Sequence, residues 1–190
     1  MTVELNKNPV QYIIKEIQPI LSISYIIAIG IGMLFNYQKF SEYGINIFEY
    51  SDILDFLIAP FADFLILFFT IVSLALAYLF FQIDLYWERK YPEFYSKMVL
   101  GLNDKSWYNY VRYSSYLILF ILYLYLAADL NGKLARRRSK EKPEIVIKFD
   151  NNEIEKGIMI GKTKEIIFLL KGEDVKAIPI TSLVKEFDIK

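Results

Sequence analysis

Residues 64–83 read FLILFFTIVSLALAYLFFQI, a stretch without a charged side chain. A helix rises 1.5 Å per residue, so about 20 residues cross the roughly 30 Å of hydrocarbon in a bilayer. Asp63 stands just before the stretch and Asp84 just after it. On a helical projection of about 100° per residue, Asp55, Ala59, Asp63, Thr70, Ser73, Ala77 and Asp84 fall on one side, within roughly 80° of one another. Phe61, Leu65, Phe68, Val72, Leu76 and Leu79 take the other. Charge in hydrocarbon is costly, so such a stripe faces a partner helix or a water-filled path.

Two further uncharged runs, 17–38 and 113–128, flank this one in the chain. The first is long enough to span, and no basic segment with a small-residue cleavage site marks it as a removable signal. The second is short, and spans only if Arg112 snorkels and Asp129 sits at the interface. The expected spans are therefore about 17–38, 56–83 and 111–130, within a transmembrane domain of residues 1–132. Apolar residues make up 55% of the chain and aromatics 17%, above ordinary soluble usage. The loop 84–110 carries Tyr86, Trp87, Tyr91, Trp107, Tyr108 and Tyr110, an aromatic belt suited to a membrane surface. Within it, Tyr91-Pro92-Glu93 opens a short helical piece to about Leu102, and a third helix runs from about Lys105 to Leu130, stopped by Asn131-Gly132.

Local signals refine the helices. Ser24, Ala28 and Gly32 form a four-residue ladder of small side chains, the pattern of close helix–helix packing in membranes. Gly44 marks a turn, and Asp52 with Asp55 suits the first turn of the next helix, as caps for its amides. Pro60 should bend that helix or split off an interfacial first segment.

Residues 133–143 form a basic connector containing Arg136, Arg137 and Arg138. Beyond it the periodicity changes. EIVIKF alternates over 144–149, and β-rich runs follow at 157–160, 165–170 and 175–180. Asn151-Asn152, Gly161 and Lys171-Gly172 punctuate them as turns. The fold class expected is a three-span α-helical membrane domain followed by a small SH3-like all-β module over residues 144–190.

The chain has no cysteine and no histidine, which removes disulfides, thiol nucleophiles and the usual zinc ligand set. No phosphate-binding glycine loop, nucleophile elbow or metal motif occurs, so no enzyme, cofactor or metal site is expected. Lys and Arg near the spans tie between the two sides of the membrane. The cluster from Lys133 to Lys142 favours placing the C-terminal module in the cytoplasm.

Two functional readings of the stripe stay open. Asp63, Thr70, Ser73 and Ala77 line a path shared by several copies, or the small and hydroxyl residues pack against the first span while Asp63 bonds locally. Arg136, Arg137 and Arg138 are a topology signal and lipid contact, or bind a phosphate-bearing ligand together with Lys162 and Lys164 of GKTKE.

YGINIFEYSDIL after the first span, and IMIGKTKEIIFLL with KAIPITSLVKEF in the tail, resemble a bacterial layout of a few spanning helices and a compact cytoplasmic β-module. The chain is similar to the membrane effectors of bacterial antiphage defence, in particular the channel subunits of Hailong-type systems. That resemblance implies a homo-oligomeric ion channel, a tetramer, in the bacterial inner membrane. It also implies control by a single-stranded DNA oligomer made by a partner nucleotidyltransferase. The residues alone support only the polar stripe, the small-residue ladder and the basic connector. With the resemblance, the expectation is a ligand-gated channel, and the alternative is a membrane-anchored module that recruits a soluble partner without transport.

Overall fold

The computed structural model describes residues 9–149, 153–180 and 184–189, with side chains from 17–149 and 153–180. The helices are α1 (Pro9–Ser41), α2 (Ile53–Ala62), α3 (Phe64–Lys90), α4 (Pro92–Met98) and α5 (Tyr108–Ser139). The strands are β1 (Glu144–Phe149), β2 (Ile154–Lys162), β3 (Ile166–Lys171), β4 (Asp174–Pro179) and β5 (Val184–Ile189). Three helices, Ile17–Ser41, Phe64–Lys90 and Tyr108–Ser139, are long and apolar enough to cross a membrane, which fits a membrane protein.

The stretch expected to span over 56–83 is divided into α2 and α3, so a first segment is split off, as one of the two outcomes expected of Pro60. The chain breaks at Asp63, whose backbone is extended at φ −112° and ψ 106°. The Asp63 amide closes α2 on the Ala59 carbonyl (3.1 Å), and its carboxylate accepts from the Leu65 amide (3.0 Å) to cap α3. A short side chain that satisfies an orphan amide competes with helix continuation. The break therefore falls three residues past Pro60, not at the proline.

The third helix also runs further than expected. Asn131 and Gly132 are buried inside α5 and do not stop it, and the helix continues to Ser139. A Cβ on Gly132 would stand 2.7 Å from the Gln38 carbonyl oxygen, so this glycine lets α5 approach α1. Much of the basic connector is consequently the last two turns of α5.

In the bundle, Ile31, Phe35, Ile66, Leu124, Ala127 and Ala128 form the core. The tail is a five-stranded antiparallel sheet in the order β4-β3-β2-β1-β5. β1 has the bounds expected from its alternation, with Ile145 and Ile147 facing inward. The expected Asn151-Asn152 turn lies outside the described residues. Lys171-Gly172 does turn β3 into β4, with Gly172 at φ +63°.

Candidate functional site: the junction of the bundle and the β-module

The end of α1 and the first part of α2 meet β2, β3 and the turn between them, and this junction has its own apolar core. Phe40, Ile47, Phe56, Ile160 and Phe168 are buried together. The Phe40 and Phe168 rings lie 5.0 Å apart between centroids. Phe40 Cζ would be 2.6 Å from a Cβ on Gly161, so the glycine in β2 makes room for the ring. Polar contacts reinforce the docking. Asp55 Oδ2 accepts from the Asp52 amide (3.0 Å), while its Oδ1 accepts from the Lys164 amide of the module (3.2 Å). Asp52 accepts from the Ile53 amide (3.0 Å). The two aspartates thus cap α2, and one of them also holds the β2–β3 turn.

A cleft of about 800 Å³ opens beside these contacts. Lys39, Asp55, Asp63, Lys162 and Lys164 border its polar part, and Ile58, Ala62 and Phe64 its apolar part. Arg136 and Arg137 lie elsewhere, around a recess of about 280 Å³ with Glu42, Lys133 and Lys140. Arg136 donates to the Glu42 carbonyl and faces the Tyr43 ring at 5.9 Å. Arg138 is exposed and lines neither. The five basic residues expected to act together are therefore not gathered: Lys162 and Lys164 border the cleft, Arg136 and Arg137 the recess, and Arg138 neither.

The polar stripe is divided as well. Asp63 is a helix cap, and the Thr70 hydroxyl donates to its own helix at the Ile66 carbonyl (2.7 Å). Ser73 is 2% exposed and donates to the Phe69 carbonyl (2.8 Å), and Ala77 is 6% exposed. Both are enclosed within one protomer, because α3 lies against α5. Of the small-residue ladder, Gly32 lies directly against the Phe56 backbone of α2 and Ala28 is half-buried. Ser24 stays exposed, its hydroxyl bonded back to Ile20.

At the opposite end of the bundle, Arg112 does not snorkel. It is buried and bonded to Asp84 (2.7 Å), Glu88 (2.9 Å) and the Tyr95 phenol oxygen (2.7 Å). Tyr95 in turn donates to Asp84 (2.9 Å) and lies 2.7 Å from the Tyr108 hydroxyl. Burial raises the Tyr95 phenol above its usual range, helped by its hydrogen bonds to Tyr108 and Asp84. This network ties α3, α4 and α5. Its sequence signal was an arginine beside an apolar run, with Asp84 and Glu88 one turn apart on the preceding helix.

No family model and no curated protein matches this chain. Among solved structures, a slight likeness is found to a crystal structure of the pleiotropic translational regulator Hfq. It is 15% identical over 32% of this chain and 98% of that one, at a TM-score of 0.24. Among the described residues, no group of acidic side chains is placed to hold a metal ion.

Proposed function

We propose that this protein is a ligand-controlled membrane effector, a homo-oligomeric ion channel whose SH3-like C-terminal module senses a phosphate-bearing ligand from the cytoplasm. The observation that carries the reading is the locked junction. Phe40, Gly161 and Asp55 couple the module to α1 and α2, and α5 runs directly into β1. A ligand that moves the module therefore moves spans, and one that binds two module positions unequally shifts their populations. The recess around Arg136, Arg137 and Lys140 supplies cations for such a ligand, of which a nucleic-acid oligomer is the leading candidate. Residues 17–27 of α1 are exposed on every side within the protomer, and with Ser24 they offer a surface for helices of further copies, a tetramer in the favoured assembly.

A specific observation also favours a second reading, a membrane-anchored recruitment module without transport. Ser73 and Ala77, two of the best candidates for a polar path, are used inside the protomer. Planar-bilayer recordings of the purified full chain separate the two. Unitary currents that respond to a DNA oligomer support the channel. Silence under every ligand condition removes it and leaves the anchor.

A further inference from the structure

The cleft between the β-module and the bundle has an unusual balance of polar groups. Its carboxylates are engaged by backbone amides: both oxygens of Asp55 accept, and Asp63 caps α3. Its ammoniums are not engaged. Among the described residues, the side chains of Lys39, Lys162 and Lys164 have no hydrogen-bond or ion-pair partner; Lys39 has a ring contact with Phe40, at 5.5 Å, and a longer-range attraction to Asp63. Lys39 is half-buried, so its charge is partly removed from water, with Asp63 as a counter-charge outside ion-pair distance. The three lysines and two aspartates leave one net positive charge facing a space of about 800 Å³.

The position of the cleft narrows what fills it. It lies where α1 ends and α3 begins, the level at which a span leaves hydrocarbon. Its apolar wall continues outward into Ile58, 57% exposed, and Phe64, 74% exposed. An occupant that is anionic at one end and oily at the other meets both parts.

We propose that this cleft binds the phosphodiester headgroup of an anionic membrane lipid. The phosphate sits among Lys39, Lys162 and Lys164, and the acyl chains run over Ile58 and Phe64. One phosphodiester charge matches the net charge of the site. A zwitterionic lipid brings its own cation and competes with the lysines. The bound lipid bridges α1 to the β2–β3 turn and holds the module against the bundle. The site is separate from the arginine recess invoked above, so the two stand or fall independently.

The test is native mass spectrometry of the full chain in detergent micelles, with equimolar phosphatidylglycerol and phosphatidylethanolamine. The expected result is one retained phosphatidylglycerol per chain, enriched about fivefold or more, the scale of a lysine–lipid contact at a membrane surface. Lys162→Ala with Lys164→Ala, on an exposed turn, and Lys39→Met should each abolish the enrichment, while Lys39→Arg keeps it. Arg137→Ala with Arg138→Ala should leave it intact. No enrichment in the wild type, or enrichment unchanged in the turn pair, overturns the proposal. So does loss of enrichment in the arginine pair alone. Inorganic phosphate or a DNA oligomer displacing the lipid at micromolar concentration overturns the lipid as the natural occupant. If Lys39→Met fails to fold, the turn pair decides.

Discussion

Phe40→Ala tests whether the β-module is held to the bundle by the junction core. The ring is 3% exposed and lies between α1 and the module, against Phe168 and the bare backbone of Gly161. Truncating a buried phenylalanine costs about 3–5 kcal/mol, and the aromatic pair adds about 0.5–1.5. The Asp55–Lys164 hydrogen bond survives the change, but a bond of that kind contributes only about 1.5–3 kcal/mol. Even the lower figure of about 3 kcal/mol shifts the docked–undocked equilibrium by roughly a hundredfold. Amide hydrogen exchange of the full chain in micelles reads this directly. The Lys164 amide, which points at Asp55, should exchange up to about a hundred times faster. The Thr163 amide bonds within the module to the Ile166 carbonyl (2.8 Å) and should stay protected. Unchanged exchange at Lys164 would refute the docking argument. Loss of protection at both amides would mean that the module itself had unfolded.

Three other expectations follow from the same geometry. Gly32→Ala places a methyl group into the Phe56 backbone and should lower the thermal midpoint clearly, whereas Gly30→Ala meets nothing and should be neutral or slightly stabilising, by up to about 1 kcal/mol. Arg112→Met leaves Asp84 and Glu88 without their cation and should cost about 3–5 kcal/mol; adding Asp84→Asn should recover part of that loss, and strict additivity in the cycle would refute the coupling. The raised Tyr95 pKa means that the folded chain holds this proton more tightly than the unfolded one. Its stabilisation is then complete below the ordinary phenol value of 10.0 and is lost as pH rises beyond it, so Tyr95→Phe should flatten the alkaline fall in thermal stability.

Much of the fold could be read from the chain. Uncharged runs located three helices long enough to span, and alternation placed β1 at its observed limits. The Asp52 and Asp55 caps were legible because capping is a contact between near neighbours. What the periodicity of residues 64–83 could not give was the partner of the face it defined. A projection shows that Thr70, Ser73 and Ala77 lie together, but only the position of α5 decides that Ser73 and Ala77 are enclosed.

The same division holds elsewhere. Arg112 was visible as a charge beside an apolar run, yet its partners Asp84 and Glu88 lie 28 and 24 residues away, a separation that no local pattern encodes. Lys39 in α1 and Lys162 with Lys164 in the module meet at one cleft only because Phe40 fits into the space left by Gly161. Sequence by itself determined the elements, since hydrophobic period, caps and turns act over a few residues. Tertiary packing decided which charges are paired, which are left free and what each face meets, since those depend on distances between elements far apart in the chain.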